Sequence, residues 1–258
     1  MDTTKPSLLF IHGAWHGKWC FERYFCGYFQ QRGYDVHALD LPEHGEKFTG
    51  VRQQRWLSVR DYVTAVSDYA ATLPTPPIVI GHSMGGFVVQ KYLEQHPAPA
   101  GVLLASAPPS GVWRTTLKIA RHYPRHFLQT NLSLSLWPLV NAPELAQAHF
   151  FSANISPADL QTYFQQLHSE SYRAFVDMLL LNLPRPKRVK APMLVLGAAN
   201  DTIFTPQEVK ATAAAYHTEA TIFPNMAHDM MLESGWQQVA DAICTWLQGL
   251  GFAARKIS

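Results

Sequence analysis

A Gly-x-Ser-x-Gly motif at residues 81–85 constrains the fold of this chain more than any other feature of its sequence. The apolar run at residues 78–80 comes directly before it and has the composition of a strand covered on both faces. A helix is predicted to begin directly after it, at Met84. A serine between such a strand and such a helix lies on a strained turn that exposes its hydroxyl group. The motif therefore predicts Ser83 as a nucleophile, the alternative being a glycine-rich turn whose serine only caps the helix.

The composition favours one sizeable globular domain with an inserted lobe. The chain has 258 residues, 47% of them hydrophobic and 16% charged, and a formal net charge of +2. So small a charge, with one short basic run at residues 184–190, gives no indication of nucleic-acid binding. The N-terminus lacks the apolar core of a signal peptide, and no stretch approaches the roughly 18 apolar residues of a membrane span. We therefore expect a cytoplasmic protein whose three cysteines are packing thiols.

Strand and helix signals alternate along most of the chain. Six short apolar runs separated by helical patterns predict an α/β fold, with a mostly parallel six-stranded sheet and helices on both faces. Residues 110–190, after the fourth predicted strand, carry only helical signals. We interpret residues 1–109 and 191–258 as the core and residues 110–190 as an inserted helical lid. Helices are predicted over residues 18–31, 115–127, 143–151 and 156–182, and a surface loop over residues 47–57.

Polar side chains that could assist a serine nucleophile follow two later strands. Ligands of parallel sheets bind beyond the carboxyl ends of the strands, so residues there are expected to meet. An attacking serine needs a base to take its proton, and a histidine oriented by a carboxylate is the common solution. Asp201 follows the fifth predicted strand and His228 follows the sixth. The sequence predicts Ser83, Asp201 and His228 as a catalytic triad, with Asp229 a weaker candidate for the acid and Asp40 a residue that orders its own turn.

Backbone amides are expected to stabilise the oxyanion of a tetrahedral intermediate. Met84, the residue after the nucleophile, supplies one amide by the geometry of the turn. The loop after the first strand supplies the other, from Ala14 or alternatively from Trp15. His12 and His16 are expected to order this loop, because no histidine or carboxylate is spaced to complete a metal site. No metal and no cofactor are predicted.

Five motifs, in register from about residue 7 to residue 250, resemble those of the α/β-hydrolase superfamily. The opening His-Gly-Ala-Trp-His-Gly is similar to its small carboxylesterase, methylesterase and hydroxynitrile lyase branch. Lyases of that branch usually carry threonine and lysine where this chain has Gly13 and Asp229. The resemblance therefore implies an α/β-hydrolase fold and ester hydrolysis rather than cyanohydrin cleavage. The motifs lie at residues 9–15, 38–45, 81–86, 197–201 and 226–230.

The apolar residues of the predicted lid indicate the class of substrate. Most should pack between lid and core, while a few should line a cavity over Ser83 that prefers an uncharged acyl or alcohol group. We predict a serine hydrolase that acts on a small to medium apolar carboxylic ester. Candidate lining residues are Trp15, Trp113, Trp137 and Ile203.

Other functions are also compatible with these residues. C–C bond hydrolysis, lactone hydrolysis and thioester hydrolysis could use the same triad, although no cluster of arginines or lysines is placed to hold a coenzyme A tail. A receptor-like protein of this fold could instead sense a ligand beneath the lid. The lid aromatics could equally form the face of a homodimer. The expected partners are thus a small-molecule ester and, in the last case, a second copy of the chain.

Overall fold

Between residues 6 and 252, six strands form one sheet in the order β2-β1-β3-β4-β5-β6, and every neighbouring pair is parallel. The structure, a computed structural model, describes residues 6–252. Residues 1–5, where no signal peptide is predicted, and residues 253–258, assigned to the core, lie outside the described part. The predicted parallel sheet is confirmed. Its strands are β1 Leu8–Ile11, β2 Val36–Leu39, β3 Ile78–His82, β4 Gly101–Leu104, β5 Met193–Ala198 and β6 Ala220–Phe223.

Within residues 6–252, seven α-helices lie outside the large insertion; six of them connect strands and the seventh follows β6. Two of them begin at capping boxes, in which Ser58 and Thr205 each exchange hydrogen bonds with an acidic residue three positions later. These helices are α1 Trp19–Glu22, α2 Phe25–Gln31, α3 Val51–Gln54, α4 Val59–Ala71, α5 Met84–Leu93, α11 Pro206–Ala215 and α12 Trp236–Gly249.

The insertion between β4 and β5 is helical, as its sequence predicts. Its helices are shorter than predicted, because Pro124 disfavours helical backbone at Tyr123 and splits one helix into two. The predicted helix over residues 156–182 is likewise interrupted between residues 164 and 172. Residues 177–181 form a π turn. The helices are α6 Trp113–His122, α7 Pro124–Ser133, α8 Pro143–Phe150, α9 Pro157–Phe164 and α10 Tyr172–Val176.

Two other stretches differ from the sequence-based prediction. The helix over residues 18–31 is divided into α1 and α2, since Tyr24 leaves helical geometry with φ −139°. The loop at residues 47–57 contains α3, whose Gln54 is buried and donates to the carbonyl of Glu43 at 2.8 Å. The apolar residues of the first stretch continue through Tyr24 without a gap, and the second stretch carries few apolar residues, so periodicity locates neither the break nor α3.

The hydrophobic core has two layers, one on each face of the sheet. Successive side chains of β1 alternate between them: Leu8 and Phe10 belong to one cluster, Leu9 and Ile11 to the other, and all four are fully buried. This double coverage explains the continuous apolar runs of the central strands. In residues 6–252, no helix combines the length and apolar character needed to cross a membrane.

Candidate active site

Ser83 lies on a sharp turn between β3 and α5. Its backbone has φ 53° and ψ −118°, a conformation that residues with a side chain rarely adopt. Two hydrogen bonds fix this turn to the end of β4, from the Ser83 amide to Leu104 O at 3.0 Å and from the Ala107 amide to Ser83 O at 3.1 Å. The strain is therefore sustained by the neighbouring strand.

The glycines around Ser83 allow backbones to pass in contact. A Cβ atom on Gly81 would collide with the backbone of Gly85, and one on Gly85 would collide with the carbonyls of Ile11 and His12. The motif predicted from the sequence is thus a packing requirement: β1, β3 and α5 meet where no side chain fits. This contact sets the distance between Ser83 and the loop that follows β1.

Asp201 and His228 meet beyond the carboxyl ends of β5 and β6. Asp201 Oδ2 accepts from His228 Nδ1 at 2.8 Å. The other carboxylate oxygen, Oδ1, accepts from the amides of Ile203 at 2.7 Å and Phe204 at 3.0 Å. Because both oxygens have donors, the carboxylate has one orientation, and it fixes the His228 ring with its proton on Nδ1.

The second ring nitrogen of His228 is buried and has no hydrogen-bond partner within residues 6–252. The ring packs on Phe204, and its centroid lies 4.8 Å from that of His82, the residue before Ser83. His82 Nε2 donates to the His228 carbonyl at 3.1 Å, and burial lowers the pKa of His82 to about 3. A neutral His82 thus holds the loop of His228 beside the turn that carries Ser83.

The loop after β1 presents a free amide beside Ser83. The Gly13 carbonyl lies 2.8 Å from His12 Nδ1, and His12 Nε2 accepts from the Leu41 amide at 3.1 Å. Burial, with His44 nearby, lowers the pKa of His12 well below its ordinary value, so this ring is neutral. In a trans peptide the Ala14 N–H points away from the Gly13 carbonyl. Within residues 6–252 the Ala14 amide makes no hydrogen bond.

The Trp15 amide, the alternative oxyanion donor, is already used. It donates to Glu170 Oε2 at 3.3 Å, while Trp15 itself has a left-handed backbone with φ 65°. Sequence reasoning did not single out Glu170, which belongs to no motif and lies 155 residues from Trp15 along the chain. Only its buried position, with 1% of its surface exposed, marks it as unusual for a carboxylate.

His16 and Asp229 form a buried pair behind the same loop. His16 Nε2 lies 2.9 Å from Asp229 Oδ2, and His16 Nδ1 lies 2.7 Å from the Ala14 carbonyl. Both contacted atoms are acceptors, so His16 needs a proton on each nitrogen. Burial alone would lower the pKa of His16, but Asp229 raises it above its ordinary value. Asp229 therefore has a partner other than His228. Asp40 accepts from the Glu46 amide at 3.3 Å, within its own turn as predicted, and also from the Lys18 amide at 2.7 Å.

A cavity of about 80 Å³ lies between the insertion and Ser83. Of the four predicted lining residues, Trp15 and Ile203 lie in its wall. The structure places Trp113 on the outside of the insertion, 47% exposed, and Trp137 against Phe164 with ring centroids 6.5 Å apart. The lining is mainly apolar: Ala14, Trp15, Ser83, Met84, Ala107, Val112, Thr115, Thr116, Ile119, Phe127, Thr130, Leu136, Leu139, Phe175, Met178, Ile203 and Phe204.

Among residues 6–252, one group of three side chains has metal-ligand spacing. His82, His228 and Asp229 each offer an atom within 4.8 Å of the others. Two nitrogens of this group are already used, since His82 Nε2 donates to a carbonyl and His228 Nδ1 donates to Asp201. A metal would thus compete for the nitrogen of His228 that a general base needs, so this group fits proton transfer better than metal binding.

Several known proteins are similar to this chain. Methyl jasmonate esterase 1 of Vitis vinifera is 29% identical over 104 residues, 40% of this chain and 39% of that protein. Monoacylglycerol lipase of Mycolicibacterium smegmatis is 25% identical over 232 residues, 85% of this chain and 80% of that protein. The crystal structure of polyneuridine aldehyde esterase superposes with a TM-score of 0.72 at 17% identity, covering 94% of this chain and 99% of that one.

The chain spans less than half the length of several curated relatives that it matches. The family model, by contrast, covers nearly the whole chain, from residue 8 to residue 242. That range includes all six strands and every residue of the site described above. The resemblance predicted from five short motifs is therefore confirmed, and the chain belongs to the alpha/beta hydrolase family.

Proposed function

We propose that this protein is a serine hydrolase that cleaves small to medium apolar carboxylic esters. The observation that carries the proposal is the state of His228. Its Nδ1 donates to Asp201 at 2.8 Å, while its buried Nε2 has no hydrogen-bond partner among the described residues 6–252 and lies near the turn that carries Ser83. A base for a serine hydroxyl needs such a free nitrogen on a ring of fixed tautomer. The similarity to an esterase and a lipase agrees with this chemistry.

The proposed reaction is a two-step acyl transfer. Ser83 Oγ attacks the ester carbonyl carbon while His228 Nε2 takes the hydroxyl proton, and His228 then protonates the departing alcohol. Water attacks the resulting acyl-enzyme in the same way and regenerates Ser83. Asp201 keeps the His228 ring oriented and stabilises the imidazolium that forms. The amides of Ala14 and Met84 would bind the oxyanion, and the loss of one such donor costs about 3 kcal/mol of barrier.

The cavity supports an apolar substrate of limited size. Its wall is mainly hydrocarbon, and its volume of about 80 Å³ suits a short acyl or alcohol group. Helices α6 and α7 contribute Thr115, Ile119 and Phe127 to this wall. We therefore propose that residues 110–190 act as a lid that keeps water away from the acyl-enzyme and sets the length of the group that fits.

Hydrolysis of p-nitrophenyl esters from acetate to palmitate tests this proposal. Wild-type protein should turn over the short-chain esters, whereas Ser83→Ala should lose activity and keep its thermal unfolding temperature close to that of the wild type. Ser110→Ala, at an exposed serine of the insertion, is the matched control and should keep full activity. A fluorophosphonate probe should label only Ser83. Absence of turnover and of labelling in the wild type would contradict the proposal.

A further inference from the structure

The insertion forms hydrogen bonds with the backbone of the loop after β1, which carries the Ala14 amide. The Trp15 amide donates to Glu170 Oε2 at 3.3 Å, and the Trp15 carbonyl accepts from the His168 amide at 3.1 Å. Both backbone polar groups of Trp15 are thus bound by residues 168–170 of the insertion. Trp15 has φ 65°, a strained conformation that an unsupported loop would leave readily. The insertion therefore does more than cover the cavity.

The same loop is held from the opposite side. The peptide unit that joins Ala14 to Trp15 has its N–H on Glu170, and its carbonyl lies 2.7 Å from His16 Nδ1. His16 in turn lies 2.9 Å from Asp229, the neighbour of the proposed general base. One peptide unit is thus bound between two buried carboxylates, one from the insertion and one, through His16, from the loop after β6.

Glu170 is suited to this task because four donors fix its carboxylate. Burial alone would raise its pKa, but the charge of His44 and the surrounding hydrogen bonds lower the pKa below its ordinary value. An ionised carboxylate with all its acceptor positions engaged has little freedom to rotate. The donors are His44 Nε2 at 2.7 Å, Tyr62 Oη at 2.8 Å, the Ser171 amide at 2.5 Å and the Trp15 amide at 3.3 Å.

We propose that Glu170 is a positioning residue, which fixes the peptide after Ala14 so that the Ala14 amide stays directed at the oxyanion. This inference rests on the proposed esterase function. By engaging the Trp15 amide, Glu170 also leaves Ala14 as the donor of this loop. Donors held in place before the reaction stabilise the transition state without reorganisation, and misplacement by about 1 Å can cost about 100-fold in rate.

Glu170→Gln tests the proposal, because it keeps the size of the side chain and removes its charge. We expect kcat to fall about ten- to hundred-fold with KM changed by less than about threefold. A trifluoromethyl ketone, which adds to Ser83 to form a hemiketal oxyanion, should lose affinity in proportion to kcat/KM. The corresponding secondary alcohol, which forms no oxyanion, should bind as it binds the wild type.

Glu144→Gln, at an exposed glutamate of the insertion, is the matched control, since it makes the same change of charge away from the loop of Trp15. Its kcat should stay within about threefold of the wild type. Equal losses of ketone and alcohol affinity in Glu170→Gln would show that Glu170 only holds the fold, and would overturn the proposal. Unchanged kcat together with unchanged ketone affinity in Glu170→Gln would also overturn the proposal.

A second variant keeps the proposal testable if Glu170→Gln does not fold. Asp229→Asn weakens the contact of His16 with the Ala14 carbonyl, on the other side of the peptide unit, and should show the same selective loss of ketone affinity. Unchanged ketone affinity would indicate that the fixed peptide unit does not position the Ala14 amide. Failure of the proposed function has a different appearance: wild-type protein would neither hydrolyse esters nor bind the ketone. Wild-type turnover together with an unaffected Glu170→Gln would reject the positioning role alone.

Discussion

His228 and Asp201 follow different strands and meet through one hydrogen bond of 2.8 Å between Nδ1 and Oδ2. The amides of Ile203 and Phe204 hold the other carboxylate oxygen, so the acceptor cannot turn away from the ring. The ring therefore carries its proton on the side of Asp201, and no group in residues 6–252 forms a hydrogen bond with Nε2. The tautomer of His228 therefore depends on a single carboxylate, that of Asp201.

Replacement of that carboxylate should remove activity without removing the fold. In Asp201→Asn the amide NH2 can face Nδ1, which favours a proton on Nε2, where it blocks transfer from Ser83. We expect kcat to fall by about 10³- to 10⁴-fold with a small change in KM. Steady-state ester hydrolysis measures it, with the exposed Asp68→Asn as the matched control. Similar rates for the two variants would contradict the assigned tautomer.

The strained backbone of Ser83 should be visible in the stability of variants. Ser83 has φ 53°, which costs energy for any residue with a Cβ atom and little for glycine. The free energy of unfolding of Ser83→Gly should therefore exceed that of Ser83→Ala by about 1 kcal/mol, once the extra conformational entropy of glycine in the unfolded chain is included. Both variants should be inactive. Urea unfolding compares them, and equal stabilities would indicate that the turn is relaxed.

Two glycines in different surroundings should respond oppositely to the same substitution. Gly81→Ala would place a Cβ atom against the backbone of Gly85, which cannot move without separating β3 from α5. We expect a loss of about 3 kcal/mol or more, or failure to fold. Gly27→Ala, inside α2 with no atom within 4 Å of the new Cβ, should instead stabilise the protein by about 0.5–1 kcal/mol. Thermal unfolding of both variants measures the contrast.

The fold and the candidate triad could be predicted from the sequence at the points where neighbouring residues determine the local structure. Buried parallel strands need continuous apolar runs, and a nucleophile on a turn needs glycines beside it, so β3 and Ser83 leave clear patterns. Glu170 leaves none, because its role arises from a contact with Trp15 that only the folded chain creates. Trp113 was predicted to line the cavity but lies on the outside of the insertion, because its place depends on the orientation of α6, which the sequence does not determine. The cytoplasmic location and the homodimer stay predictions.

The buried pair of His16 and Asp229 should give stability a distinct pH dependence. Burial opposes ionisation of both groups, yet their mutual attraction raises the pKa of His16 and lowers that of Asp229. The contribution of His16 is complete below about pH 6.5 and is lost as pH rises through its raised folded pKa; that of Asp229 is lost only as pH falls through its lowered one. His82 and Glu170 also face this pair.

The difference in unfolding free energy between wild type and Asp229→Asn should accordingly be larger at pH 6 than at pH 9. Breaking a buried pair by removing one partner typically costs about 3–5 kcal/mol, which sets the scale at the lower pH. Denaturant unfolding at both values measures it. Parallel pH profiles for the two proteins would mean that His16 is not charged in the folded state.

The wall of the cavity should determine which acyl chain is preferred. Phe127 of α7 lines the cavity, and its replacement by alanine adds space next to a mainly apolar surface. Phe127→Ala should therefore shift the optimum of the p-nitrophenyl ester series to longer chains. Since each buried methylene contributes about 0.8 kcal/mol, we expect kcat/KM to rise about 10-fold for an acyl chain two or more carbons longer. Trp113→Ala, on the outside of the same insertion, removes an aromatic side chain that is not part of the cavity wall and should leave the optimum unchanged. A shift in Trp113→Ala but not in Phe127→Ala would mean that the acyl group occupies a different surface of the insertion.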